Sequence, residues 1–235
     1  QSLPHKGPAM TTIRYDDLVE SVSAALQYIS YYHPADYIAH LARAYEREES
    51  PAAKDAIAQI LTNSKMSAMG HRPICQDTGV AHVFFKLGMD VRIQAEGNQP
   101  TPSLQALANA GVARGYADPR NPLRASMIRQ PLGDRSNTGD NTPAIVHIEM
   151  VEGDSIEVTV VAKGGGGDVK ARYAMLNPSD SVADWVVSQL PGMGAGWCPP
   201  GVLGLGIGGS PEQAMVMAKR SLFAPIDIQN LRNRN

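Results

Sequence analysis

Residues 80–88 read VAHVFFKLG, and at this apolar run the residue pattern of the chain changes from helical to extended. Two later runs, AIVHIEMV at 144–151 and SIEVTVVA at 155–162, share its alternation and its β-branched content, so all three are predicted strands. Only EGD at 152–154 separates the last two runs, and a connection this tight is typical of a β-hairpin. SLQALANAGVARGYA at 103–117 is predicted to be a helix between the first two strands.

The chain before the first strand is predicted to form three helices. From about Tyr15 to Met69, apolar residues recur with the α-helical period. Pro34 and Pro51 occupy first-turn positions, and Gly70 can end the last helix. The first quarter of the chain should therefore be a helical cluster.

The chain beyond the third strand is predicted to alternate between helix and strand. SVADWVVSQL at 181–190 has the pattern of a helix, VLGLGIGG at 202–209 that of a strand, and SPEQAMVMAKRSLF at 210–223 that of another helix. We therefore predict a mixed α/β (α+β) fold. A helical cluster over 11–70 is followed over 71–235 by a mixed β-sheet layered with helices.

Composition excludes several classes of protein. The chain has 235 residues, of which 43% are apolar, and this is enough to bury a sizeable core. Its formal net charge of −2 gives no basic surface for nucleic acid. No apolar run approaches the roughly 20 residues that span a bilayer, and no signal peptide is visible, so we expect a soluble, cytoplasmic protein without a membrane partner. Residues 1–10 are predicted to be a cloning remnant or an unstructured tail, with the natural start at Met10.

Three polar or glycine-rich stretches lie at element boundaries, where loops usually carry binding and catalytic groups. CQDTG at 75–79 precedes a strand and can serve as a turn or as a site. RSNTGDNTP at 135–143 is rich in side chains that close their own backbone turns, so a structural use is expected. Lys163 and the four glycines 164–167 follow a strand, and their backbone N–H groups suit close approach to an anionic ligand.

A fourth stretch, GWCPPGVLGLGIGGSPEQ at 196–213, supports two interpretations. Gly204, Gly206 and Gly209 match G-x-G-x-x-G, which would indicate a nucleotide-binding module. These glycines lie within a predicted strand rather than at the start of a helix. SPEQ at 210–213 can cap the following helix without any cofactor.

The two cysteines, Cys75 and Cys198, are too few and too far apart for a disulfide framework, so reduced thiols are expected. Widely spaced free cysteines are most often small buried hydrophobic residues. However, Cys198 is followed by two prolines, and Cys-Pro recurs in iron–sulfur ligation. The cysteines are therefore candidate metal ligands.

In this order, the motifs RPICQDTG, PLRAS, NTGDNTP, AKGGGGD, LNPSDSVADWV and GAGWCPPGVLGLGIGG resemble those of the class I fumarate hydratases, which are iron–sulfur hydro-lyases. Tartrate dehydratase α chains show a similar pattern. The resemblance covers the chain from about residue 15 to its end. It implies a [4Fe–4S] cluster held by three thiolates, with one iron open to the substrate as a Lewis acid. Cys75 and Cys198 match two of those ligands, and no cysteine follows Cys198.

The resemblance also implies roles for four other residues. Gln76 and Asp77 match the pair that faces the substrate, with Asp77 as the catalytic general acid. Arg124 matches an arginine that contacts the substrate, and a guanidinium suits a carboxylate. Gly166 matches a backbone contact with the substrate. Asp168 departs from the family pattern, since other members often carry Ser or Thr there.

The expected function is therefore reversible hydration of fumarate to L-malate, with a small dicarboxylic acid as the substrate. Residues 11–235 are expected to be part of an N-terminal cluster-binding domain, without the third cysteine and without the family's C-terminal domain. The chain alone should be inactive, and the intact protein should be a homodimer. The alternatives are an α chain that dehydrates tartrate or another hydroxy diacid, a nucleotide-binding module, and a structural fragment without a cluster.

Overall fold

The computed structural model describes residues 10–97, 99–198, 200–227 and 233. The predicted leader, apart from its last residue, lies outside the described residues, and so do Pro199 and most of the final LRNRN. In chain order the elements are β1 (Thr11–Arg14), α1 (Tyr15–Tyr31), α2 (Ala35–Arg47), α3 (Pro51–Gly70), β2 (Val80–Gly88), β3 (Val91–Gln94), α4 (Leu104–Tyr116), β4 (Ile145–Val151), β5 (Ile156–Lys163), α5 (Gly165–Asp168), α6 (Val182–Gln189) and α7 (Pro211–Ser221).

These elements confirm the mixed α/β fold class and most of the predicted secondary structure. The three N-terminal helices are present, and α3 begins at Pro51 and ends at Gly70 as predicted. The predicted strand at 80–88 is β2, and the helices predicted within 103–117 and 181–190 are α4 and α6. The four-residue strands β1 and β3, which pair in parallel, were not predicted because so short a run shows no clear alternation. Among the residues that the structure describes, no helix has the length and apolar character needed to cross a bilayer.

Contacts divide the chain into two compact units. The first unit comprises Gln1–Tyr32 and Met66–Gly165, and it contains both sheets together with α1 and α4. The second unit comprises His33–Lys65 and Gly166–Asn235, and it contains α2, α6 and α7. Helix α3 and the short α5 contribute residues to both units.

The main sheet has the strand order β4-β2-β5, so the predicted hairpin of β4 and β5 is wrong. Strand β2 lies between them, parallel to β4 and antiparallel to β5. The connection from β4 to β5 passes around the end of β2, where the backbone N–H groups of residues 88–90 donate to carbonyls within 151–155 at 2.9 Å. A Cβ at Gly88 would lie 2.4 Å from the Gly153 carbonyl oxygen, so this close crossing requires glycine.

Helices α1 and α4 pack together, and with the main sheet they enclose the core of the first unit. Helical periodicity places one apolar stripe of each helix inward, while alternate residues of β2 meet those stripes. The largest fully buried apolar side chains of this core are Val22, Leu26, Val83, Phe85, Leu107 and Val112.

The contact between α1 and α4 is close enough to require glycine at one position. A Cβ at Gly111 would lie 2.6 Å from the Val22 Cβ. We expect Gly111→Ala to destabilise the chain by about 1–3 kcal/mol, because overpacking outweighs the better helix propensity of alanine. Urea unfolding would measure the loss. Gly70→Ala is the matched control, since its new methyl would meet nothing closer than 3.8 Å; equal effects of the two substitutions would contradict this packing argument.

The strand predicted at 202–209 is wrong, although the helix predicted after it is confirmed as α7. This segment belongs to neither sheet, and it lies against α7. A Cβ at Gly204 would lie 2.2 Å from the Ala218 carbonyl oxygen, and one at Gly206 would lie 1.9 Å from that of Ala214. Close packing on a helix therefore accounts for these glycines.

Candidate functional site

The loop at 75–79 forms a compact turn that leaves the Cys75 thiol exposed. The backbone N–H of Asp77 points at the Cys75 Sγ at 3.4 Å, and the thiol donates to Gln76 Oε1 at 3.3 Å. The Asp77 Oδ1 accepts from the Gly79 N–H at 3.2 Å, which closes the turn expected from the sequence. We call residues 75–79 the cysteine loop.

The entry of the cysteine loop into β2 is fixed by a glycine. Gly79 has φ +80°, and a Cβ there would lie 2.6 Å from the backbone of Lys163, at the end of β5. This approach brings the Asp77 carboxylate beside the start of the glycine run, since a Cβ at Gly164 would lie 3.2 Å from Asp77 Oδ2. The carboxylate therefore lies beside a glycine backbone, and the backbone N–H of the same residue contacts the Cys75 thiol.

Arg124 also joins the cysteine loop. Its Nη1 donates to the Gln76 carbonyl oxygen at 3.4 Å, while the Thr78 hydroxyl donates to the Arg124 carbonyl oxygen at 2.5 Å. The structure thus brings Cys75, Gln76, Asp77 and Arg124 together within the first unit. A guanidinium and a carboxylate beside an exposed thiol can bind an acid substrate and transfer a proton.

Sequence reasoning missed two residues that support this loop. The Tyr116 hydroxyl, which is buried, donates to the carbonyl oxygens of Thr78 at 2.9 Å and Gly79 at 3.2 Å. Burial, with a smaller contribution from the Asp77 charge, raises the pKa of Tyr116, so the phenol stays a donor at neutral pH. Asn141, at 0% exposure, donates to the Gly79 carbonyl oxygen at 3.0 Å. The only sequence signal for Asn141 was its place in RSNTGDNTP, and residues of that stretch do make structural hydrogen bonds.

The other two predicted site residues lie together in the second unit. A Cβ at Gly166 would lie 2.8 Å from the Gly196 carbonyl oxygen and 4.0 Å from the Cys198 Sγ. The Cys198 side chain is exposed, and its backbone is in the left-handed region, with φ +60°. The glycine run there forms the single helical turn α5, and Asp168 at its end makes an ion pair with Lys219 of α7. This ion pair, which sequence reasoning also missed, ties α5 to α7.

The two cysteines have the donor chemistry of iron–sulfur ligands. Both thiols are free and exposed on loops, and the Asp77 N–H contacts the Cys75 Sγ. The sequence holds only these two cysteines, one fewer than the three thiolates that the resemblance implies. Within the described residues, no three His, Cys, Asp or Glu side chains gather into a metal site of their own.

Comparison with known proteins identifies related sequences. The family model for fumarate hydratase (Fumerase) matches residues 19–235. The protein named "Putative L(+)-tartrate dehydratase subunit alpha" of Methanocaldococcus jannaschii is 31% identical over 202 residues, which are 83% of this chain and 68% of that protein. The L(+)-tartrate dehydratase subunit alpha of Escherichia coli strain UTI89 is 29% identical over 216 residues, or 89% of this chain and 68% of that protein. The K12 protein of the same name is 28% identical over 216 residues, with the same coverage.

Proposed function

Since this chain belongs to the fumarate hydratase (Fumerase) family, which is a family of hydro-lyases, we propose that it is the cluster-binding part of an iron–sulfur hydro-lyase acting on a four-carbon dicarboxylic acid. The observation that carries the proposal is the assembly of the cysteine loop with Arg124. It places a thiol, a carboxylate and a guanidinium in one small region of the first unit. A hydro-lyase for a diacid needs this combination, namely a cofactor ligand, a proton carrier and a carboxylate binder.

Cys75 and Cys198 are the residues that would hold the [4Fe–4S] cofactor, with a third thiolate from outside this chain. The bound cofactor would supply a Lewis acid for the carboxylate and the hydroxyl of the substrate. Exposure of both thiols on loops supports this role, because a buried thiol would offer no room for a cofactor.

The other site residues of the chain would act on the substrate directly. The Arg124 guanidinium would bind one substrate carboxylate, and the Gln76 side-chain amide would orient the substrate. Asp77 would carry the proton that is transferred to or from the substrate hydroxyl. The backbone N–H of Gly166 would contact a carboxylate oxygen without a side chain in the way. Hydration adds one water across the C=C bond, and dehydration returns it, so no oxidant or reductant is required.

Fumarate, interconverted with L-malate, is the substrate that the sequence motifs favour. L(+)-tartrate is the second candidate, because the relatives described above are named as tartrate dehydratase α subunits. Both substrates are four-carbon diacids, so the same arginine and carboxylate could serve either reaction. The two candidates differ at the substrate hydroxyl groups rather than at its carboxylates.

The active protein is proposed to contain more polypeptide than these residues. The chain spans 68% of the length of the relatives described above, and it supplies two cysteines. The third thiolate, and a base on the opposite side of the substrate, would come from a C-terminal domain or from a second kind of subunit. A homodimer of the intact protein is the assembly proposed for the fumarase alternative.

The test is an anaerobic assay of the protein isolated from its own cells with its natural partner chains, after treatment with iron and sulfide. We expect loss of fumarate and formation of L-malate at a rate far above that with L(+)-tartrate. The opposite preference would establish the tartrate candidate instead. If neither diacid reacts, or if an iron-free preparation reacts equally well, the proposed function is wrong.

A further inference from the structure

Asn141 is buried at the junction of two backbone segments of the first unit. Its side-chain Nδ2 donates to the Gly79 carbonyl oxygen at 3.0 Å, at the end of the cysteine loop. Its Oδ1 accepts from the backbone N–H groups of Ser126 at 2.8 Å and Met127 at 3.1 Å. The residue is 0% exposed and has φ +63°, a left-handed conformation that asparagine tolerates better than most residues. One side chain therefore links two loops that are distant in sequence.

The hydrogen bonds at this junction require a side-chain amide. A carbonyl oxygen on one side needs a donor, and two N–H groups on the other side need an acceptor. Among short side chains, only that of asparagine offers both in a fixed plane. Aspartate would keep the acceptors but face the Gly79 carbonyl oxygen with a second acceptor.

The two linked segments carry the proposed substrate-binding groups. The cysteine loop carries Asp77, and Ser126 follows Arg124 by two residues. The direct contact of the Arg124 guanidinium with the cysteine loop is long, at 3.4 Å, and exposed. The Asn141 bonds are shorter, and the side chain that makes them is fully buried, so they are better shielded from competing water and hold their geometry better.

We propose that Asn141 is a positioning residue that sets the separation between the Asp77 carboxylate and the Arg124 guanidinium. This inference deepens the proposed function and rests on it for the identity of the bound group, a dicarboxylic acid. Asn141 does not itself touch the substrate. It acts by holding the backbone of both segments at one spacing, which selects diacids whose reacting hydroxyl lies at the matching distance from a carboxylate.

The test measures amide hydrogen exchange in this chain by NMR for Asn141→Gly. Glycine keeps the left-handed backbone but removes every side-chain bond. We expect exchange about tenfold faster at Ser126 and Met127, whose N–H groups lose their acceptor, and a changed carbonyl carbon chemical shift at Gly79, whose carbonyl loses a donor, with no change at the β2 amides. Gly111→Ala is the matched control, because it lowers stability without touching either segment. Acceleration spread evenly over the first unit in both variants, or no acceleration in Asn141→Gly, would overturn the inference.

Two further variants separate the donor and acceptor roles. Asn141→Asp should leave Ser126 and Met127 protected while releasing the cysteine loop, because it retains only the acceptor. Tyr116→Phe removes one hydroxyl that binds the same loop and is the variant to use if the others fail to fold. It should change the carbonyl carbon chemical shifts of Thr78 and Gly79 and leave the Ser126 and Met127 amides protected. Release of the Ser126 and Met127 amides in every variant would contradict separate roles.

Activity provides an independent measurement. In the active protein, Asn141→Gly should raise the KM for the diacid about tenfold, and Gly111→Ala at equal residual stability should leave KM unchanged. An unchanged KM in Asn141→Gly would overturn the positioning role. The exchange results do not depend on the substrate, so a wild-type protein inactive on both diacids would refute the proposed function and leave the structural link tested separately.

Discussion

Cys75→Ser is expected to abolish hydro-lyase activity, lowering kcat/KM by about 1,000-fold or more. Several kcal/mol of transition-state stabilisation are at stake when a Lewis acid is lost, and each 1.36 kcal/mol is a factor of ten. A serine hydroxyl is not ionised at neutral pH and is a poor donor for an iron–sulfur cluster. The fold should be unaffected, because the Cys75 side chain is exposed and a hydroxyl can still accept the Asp77 N–H.

The experiment compares wild type, Cys75→Ser and Cys198→Ser for iron content, activity and melting temperature, all under anaerobic conditions. Both variants should lose iron and activity together, and the iron-free forms of all three proteins should melt within about a degree of one another. Exposed substitutions that touch no special feature usually change stability by less than about 0.5 kcal/mol, which is the basis for that expectation. Full activity and full iron content in either variant would show that its cysteine is inert, as the alternative of a cluster-free fragment requires.

Asp77→Asn is expected to lower kcat by about 100- to 10,000-fold, the range that a general acid or base contributes. Asparagine is nearly isosteric and can still accept the Gly79 N–H through its Oδ1, so the turn should persist. The close approach to Gly164 is also preserved, because no heavy atom is added. The loss should therefore fall on proton transfer rather than on folding, and KM should change little.

Asp134→Asn provides the matched control for Asp77→Asn. Asp134 closes a similar turn, since its Oδ1 accepts from the Ser136 N–H at 3.1 Å, and it is exposed. We expect its kcat for hydration and for dehydration to equal that of wild type. A reduction of less than about fivefold in Asp77→Asn would remove Asp77 from the general-acid role.

The candidate site shows which functional residues could be predicted from residue patterns alone. The motifs singled out the cysteine loop, Arg124, Gly166 and Cys198, and in the structure the Arg124 guanidinium contacts the Gln76 carbonyl oxygen of that loop. The motifs did not single out Asn141 as the link to the cysteine loop. Its bond to Gly79 spans 62 positions in the chain, and nothing local distinguishes it from Asn137, the other asparagine of the same stretch.

The fold errors have the same origin. The strand character of β4 and β5 was read correctly, but not that β2 lies between them. The run at 202–209 has the composition of a strand, yet its glycines pack against α7 instead. In both cases the secondary structure of the segment was predicted from its own residues. Which element the segment packs against depends on residues elsewhere in the chain.

The sequence alone therefore determined the helices, including both ends of α3 at Pro51 and Gly70. It also determined the strand β2, the turn at 75–79 and the family. These features follow from period, capping, turn chemistry and motifs, which act over a few residues. Strand order, the packing of 202–209, and the junction at Asn141 were decided by the tertiary structure. Each depends on which distant surfaces exclude water together and which buried polar groups find partners, and those choices are made only when the whole core assembles.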